Sequence, residues 1–137
     1  MKMLIVDDDP TYRELMVAYA KQLSVKVAVF SDRDSAYQYF NLYPNEFQWA
    51  IIDFMLPGRE TGLALAEDIK ELNDDISILI VSHYNPPSTA CVGTRNIPDP
   101  FMDRVNKIGR FLRKPALPNT IKLSIETLLH RQFVSPL

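Results

Sequence analysis

Cysteine is almost absent from this chain. Cys91 stands alone among 137 residues, which excludes an internal disulfide and fits a reducing, cytoplasmic setting. Any block of Lys or Arg is missing too. The 15 basic residues are scattered among 17 acidic ones, for a formal net charge of −2, which leaves no electrostatic case for direct nucleic-acid binding. No apolar run approaches the roughly 20 residues of a membrane span, and the opening residues lack the basic, apolar and small-residue succession of a secretory leader. Internal repeats, low-complexity tracts and interdomain linkers are lacking as well. With 47% hydrophobic and 23% charged residues, the chain is not a disordered one and fits a single globular domain. Residues 1–131 are expected to form it, with 132–137 as a tail or cut linker.

Short β-branched runs alternate with longer amphipathic ones. Strands are predicted over Lys2–Val6, Val25–Phe30, Trp49–Asp53 and Ile76–Ser82, with a short fifth over Phe111–Arg113. Helices are predicted over Pro10–Leu23, Asp32–Tyr43, Glu60–Leu72 and Pro118–His130. The first has Asp8 or Asp9 as its cap, Pro10 in its first turn, and Leu15, Met16, Tyr19 and Leu23 on one face. The first, third and fourth strands are continuous apolar runs, as parallel strands buried on both faces should be. Alternating β and α units of this kind predict a doubly wound α/β fold around a five-stranded parallel sheet. One stretch breaks the rhythm. Residues 83–100 read HYNPPSTACVGTRNIPDP, with four prolines, so an irregular segment replaces much of the fourth helix. Only a stub is left, capped by Asp99 and closed by Gly109, with Phe101, Met102, Val105 and Ile108 on its buried face.

In this class ligands bind outside the carboxyl ends of the strands. The residues gathered there are Asp7, Asp8 and Asp9, then Asp53, then Ser82, then Lys114. Several carboxylates, a hydroxyl and an ammonium suit a hard cation and a phosphoryl group. Mg2+ takes oxygen ligands and keeps waters that a phosphate can share, and a carboxylate can attack phosphorus to form an aspartyl phosphate. Neither His83 nor His130 has a partner suited to zinc, and Cys91 has no catalytic context.

VDDDP, IIDFMLPG, LIVS and FLRKP, in this order and at strand ends, together resemble the receiver domain of bacterial response regulators over essentially the whole chain. The resemblance implies a flavodoxin-like sheet of order 2-1-3-4-5. It implies that Asp7, Asp8, Asp53 and the backbone carbonyl of Met55 hold Mg2+, and that Asp53 accepts the phosphoryl group. Ser82 and Lys114 would bind phosphoryl oxygens, and Ser82 and Phe111 would act as the switch pair. The Lys114–Pro115 bond falls where the family commonly has a cis peptide. The implied partners are a sensor histidine kinase or phosphotransfer protein upstream and an output domain or protein downstream, with no nucleic acid or membrane bound directly. The domain would be a signalling device and not an enzyme, beyond its own phosphoryl transfer and autodephosphorylation.

Three departures stand out. Four residues, Gly58–Thr61, separate Pro57 from Gly62, one more than the family spacing. His83 follows Ser82 where the family has a small residue, so an imidazole there is a possible modulator of access to Asp53. The stretch from Ser82 to Lys114 is longer than usual. Two other readings stay open. Asp7, Asp9 and Thr11 satisfy D-x-D-x-T, the nucleophile motif of haloacid-dehalogenase-type phosphohydrolases, which would make Asp7 the attacking group. A degenerate receiver serving only as a binding module is the other.

Overall fold

The computed structural model describes residues 2–54, 56, 61–82, 99–113 and 118–133. In chain order these form β1 (Lys2–Val6), α1 (Pro10–Gln22), β2 (Lys26–Phe30), α2 (Arg33–Leu42), β3 (Trp49–Asp53), α3 (Thr61–Leu72), β4 (Ser77–Ser82), α4 (Asp99–Ile108), β5 (Gly109–Arg113) and α5 (Pro118–Phe133).

Local chemistry starts and stops the helices. Asp9 caps α1, its side chain accepting from the Thr11 amide at 2.9 Å, with Pro10 in the first turn. Both residue types suit a position where backbone N–H groups lack intrahelical partners. Asp32 caps α2 in the same way, accepting from the Ser35 amide at 2.8 Å. At the far end of α1 the chain reverses through Ser24 at φ 59, and Val25 N–H donates back to the Ala20 carbonyl at 2.9 Å.

The five strands form one parallel sheet of order β2-β1-β3-β4-β5, the flavodoxin-like arrangement expected. Residues alternate between its two faces, and each face carries its own apolar cluster. Met3, Ile5, Trp49, Ile51, Leu79 and Val81 pack beneath Met16 and Ala20 of α1 and Ile121, Ile125 and Leu128 of α5. Leu4, Val6, Ala50, Ile52, Ile78 and Ile80 pack against α2, α3 and α4 on the opposite face. That two-sided burial explains why the interiors of β1, β3 and β4 are apolar, whereas the edge strand β2 is partly exposed. The chain goes from β1 outward to β2, then returns across β1 to β3. This reversal of strand order opens a crevice between the carboxyl ends of β1 and β3.

Several boundaries differ from expectation. β5 starts at Gly109 rather than Phe111, following α4 with no intervening loop. A Cβ at Gly109 would lie 2.0 Å from the Ile78 carbonyl oxygen, so only glycine lets the chain leave the helix and enter the sheet at once. α5 continues to Phe133, past the expected end at His130. α4 is a ten-residue helix with Val105 and Ile108 buried as expected, and residues 83–98 lie outside those described.

Candidate functional site

The three consecutive carboxylates of the β1–α1 turn are sorted by the backbone into three situations. Asp7 is fully buried. Its N–H extends the β1–β2 ladder by donating to the Phe30 carbonyl at 3.1 Å. Its side-chain Oδ1 accepts from the Asp9 amide at 2.9 Å, and its carbonyl accepts from Arg13 Nη1 at 3.0 Å. Asp8 is exposed. Asp9 is the cap of α1.

Asp53 closes β3 and is 4% exposed. The next residue continues the ladder, Phe54 N–H donating to the Val81 carbonyl at 2.7 Å. Alternation along the strands gives Met3, Ile5 and Asp7 one face and Trp49, Ile51 and Asp53 the same one. The two acids therefore rise side by side at the crevice, each at the end of an apolar row. One carboxylate oxygen from each of Asp7, Asp8 and Asp53 lies within 4.8 Å of the other two. Among the described residues no other group of three acids, histidines or cysteines converges in this way.

α3 closes over Asp53. A Cβ at Gly62 would fall 1.7 Å from the Asp53 carbonyl oxygen, so the helix start rests directly on the backbone of that residue. Ser82 ends β4, fully buried. It lies opposite Arg113 of β5 and one position beyond the Asp53–Val81 pair. Phe111 is paired with Ile80 in β5, and its side chain lies outside the described residues. So do Met55, His83 and Lys114.

The donor set fits a hard cation. All three groups are carboxylates, the oxygen donors that hard divalent cations prefer, and they offer their oxygens close enough together to share one ion. Two carboxylates about 4 Å apart repel by about 4 kcal/mol at an effective dielectric near 20. A divalent ion would offset that repulsion; a stability-driven design would not gather these charges.

The sequence profile of the response regulator receiver domain matches residues 3–95. The chain belongs to this family. The receiver match ends inside the proline-rich stretch, and the later elements enter through structural likeness. A receiver from Methanospirillum hungatei JF-1 superposes with a TM-score of 0.74 at 21% identity, covering 96% of this chain and 95% of the other. The chemotaxis protein CheY4 of Vibrio cholerae gives 0.71 at 18%, covering 93% and 97%. The transcriptional regulatory protein BaeR of Escherichia coli is 25% identical over 130 residues, which is 95% of this chain but 48% of BaeR. The chain thus spans about half the length of this curated relative. Receivers are signalling domains, and no helix among the described residues is long and apolar enough to cross a membrane.

Asp7, Asp8 and Asp53, expected to share a site, are brought together, and Ser82 lies at the same sheet edge. Two contributors escaped the sequence. Gly62 registered only as a spacing, although its missing side chain is what lets α3 approach Asp53. Arg13 gave no signal, because an arginine on a helix surface is ordinary until its hydrogen bond is known.

Proposed function

We propose that this receiver accepts a phosphoryl group from a phosphohistidine partner onto Asp53 in a Mg2+-dependent reaction, and that the aspartyl phosphate switches its signalling face. The observation that carries the reading is the convergence of Asp7, Asp8 and Asp53 within 4.8 Å at the crevice between β1 and β3. An Asp53 oxygen attacks phosphorus, forming the O–P bond. The P–N bond to imidazole breaks, and its electron pair stays on the leaving nitrogen. Mg2+ held by Asp7, Asp8, Asp53 and the Met55 carbonyl would supply neutralisation of the phosphoryl charge. The Ser82 hydroxyl donates to one phosphoryl oxygen and Lys114 pairs with another, so the added charge draws both inward and biases Phe111. His83, next in sequence to Ser82, modulates access to Asp53.

The phosphohydrolase reading needs Asp9 as acid/base beside a nucleophilic Asp7. Asp9 instead accepts from the Thr11 amide, and α1 starts at Pro10 with no loop inserted after β1. Both observations favour Asp53 over Asp7 as the attacking group. Upstream the partner is a sensor histidine kinase or phosphotransfer protein. Downstream it is an output domain or protein, in a cytoplasmic pathway that does not require this domain to bind nucleic acid or membrane.

The test is incubation with Mg2+ and a small acyl phosphate or phosphoramidate, followed by mapping of the modified residue by mass spectrometry. Label on Asp53 that is lost in Asp53→Asn is expected. Label on Asp7 would establish the hydrolase reading, and a wild-type protein that takes no label would leave only a binding module.

A further inference from the structure

We infer that Arg13 is a positioning residue for the acidic crevice. By holding the peptide between Asp7 and Asp8 it keeps both carboxylates turned toward Asp53. The inference rests on the proposed function for the identity of the cation as Mg2+.

The β1–β2 ladder gives out at the Asp7 N–H, which donates to Phe30. The next peptide joins Asp7 to Asp8, beyond Val6, where the pairing of β1 with β2 and β3 ends. A peptide is a rigid plane, so its rotation aims the side chains on both sides at once. The Asp7 carbonyl lies in that plane. It belongs to a fully buried residue, where a backbone acceptor must find a donor. Arg13 is one such donor, reaching back six residues from α1 to donate from Nη1 at 3.0 Å. The helix that carries Arg13 is itself fixed by the Asp9 cap, so the turn is braced at both ends. Asp8 depends on this brace more than Asp7 does. Its carboxylate is exposed, whereas Asp7 is also tied through Oδ1 to the Asp9 amide.

Two effects of the guanidinium oppose each other. Its positive charge disfavours a nearby cation, and its hydrogen bond orients two of the three ligands. The charge is half-exposed and directed at a backbone carbonyl, so water and salt screen it. Misorienting a ligand removes that ligand's contribution outright. Orientation wins, and the prediction has a definite sign.

Wild type, Arg13→Met and Arg13→Lys are titrated with MgCl2 alone by isothermal calorimetry, at a temperature where circular dichroism shows each fully folded. Arg13→Met should bind at least about tenfold more weakly, the loss usual when an outer partner of a metal ligand is removed. Arg13→Lys, which can still reach the carbonyl with a charged donor, should recover most of the affinity. With a small phosphodonor, the Met variant should need more Mg2+ for half-maximal labelling of Asp53 and then reach the wild-type rate at saturation. A purely structural role would not produce that split. Mg2+ affinity of the Met variant equal to or tighter than wild type would overturn the inference. Should Arg13→Met not fold, Arg13→Gln replaces it, because the shorter side chain cannot span from the helix to Asp7. If wild type binds Mg2+ but is never labelled, the proposed function fails, while the calorimetric comparison still decides the role of Arg13.

Discussion

At position 62 a single methyl group would be placed 1.7 Å from the Asp53 carbonyl oxygen, far inside van der Waals contact. Either α3 lifts or the Asp53 peptide turns. Gly62→Ala should therefore lower unfolding stability in urea by about 2–3 kcal/mol, the upper range of overpacking, and slow labelling of Asp53 in the fraction that remains folded. A wild-type labelling rate in a destabilised variant would mean that the backbone relaxes without moving the carboxylate. Ser24 is the opposite case. It holds φ 59, a region costing an L-residue about 1–2 kcal/mol and a glycine almost nothing. Glycine loses part of that gain through its freer unfolded state, so Ser24→Gly should raise stability by about 0.5–1 kcal/mol without changing Mg2+ affinity. The urea midpoint measures the first and calorimetry the second.

Among the elements, what the sequence made legible depended on whether the signal was periodic and local. β1, β3 and β4 were readable because burial on both faces demands unbroken apolar runs, and α1 because Asp9 and Pro10 mark its start. The order of the strands followed from the family motifs at their ends, which also marked Asp7, Asp8 and Asp53 before any distance was known. β5 was shortened because its first residue is glycine, a poor strand former that is required there by the Ile78 carbonyl across the sheet. No local pattern encodes that contact. The same limit hid Lys2, whose Nζ donates to Glu46 at 2.5 Å and to the Tyr39 hydroxyl at 3.2 Å, 5.4 Å from the Tyr39 ring centre. This cluster ties β1 to α2 and to the turn before β3. The hydrogen bond to Glu46 raises the Lys2 ammonium above its ordinary 10.5, and the bond to Lys2 lowers the Glu46 carboxyl below its ordinary 4.5. The lysine's contribution is thus complete below 10.5 and fades as pH rises past its folded value. The glutamate's is complete above 4.5 and fades as pH falls through its folded value. Lys2→Met should accordingly be less stable than wild type across the interval between those values, and the two urea midpoints should converge at more acid pH. A gap that persists unchanged at pH 2–3, below the ordinary glutamate value, would assign the loss to packing of the lysine stem instead. The ion pairs that flank α3, Arg33–Asp68 and Arg104–Glu67, are each more than a third exposed. Each contributes no more than about 1 kcal/mol, so the apolar cluster holds that layer together.

For the molecule as a whole, stability and chemistry are coupled at one edge of the sheet. The two apolar clusters hold β1 and β3 rigidly in register, and that rigidity forces Asp7, Asp8 and Asp53 within 4.8 Å of one another. In the unfolded chain Asp53 is separated from the other two by more than forty residues, and no such site exists. A divalent ion held there would bind the native state alone and stabilise it by mass action. At ten times its dissociation constant the gain is about 1.4 kcal/mol, which for a domain of this size raises Tm by roughly 3–6 °C. Asp8→Asn removes one ligand at an exposed position with little effect on the core. It should leave the fold intact while abolishing most of that rise, in thermal melts with MgCl2 set against NaCl of matched ionic strength. If NaCl produces the same rise, the gain is general screening of the acidic cluster and the crevice is not a cation site. If only MgCl2 produces it, and Asp8→Asn loses it, the sheet that buries the core is the same device that builds the site.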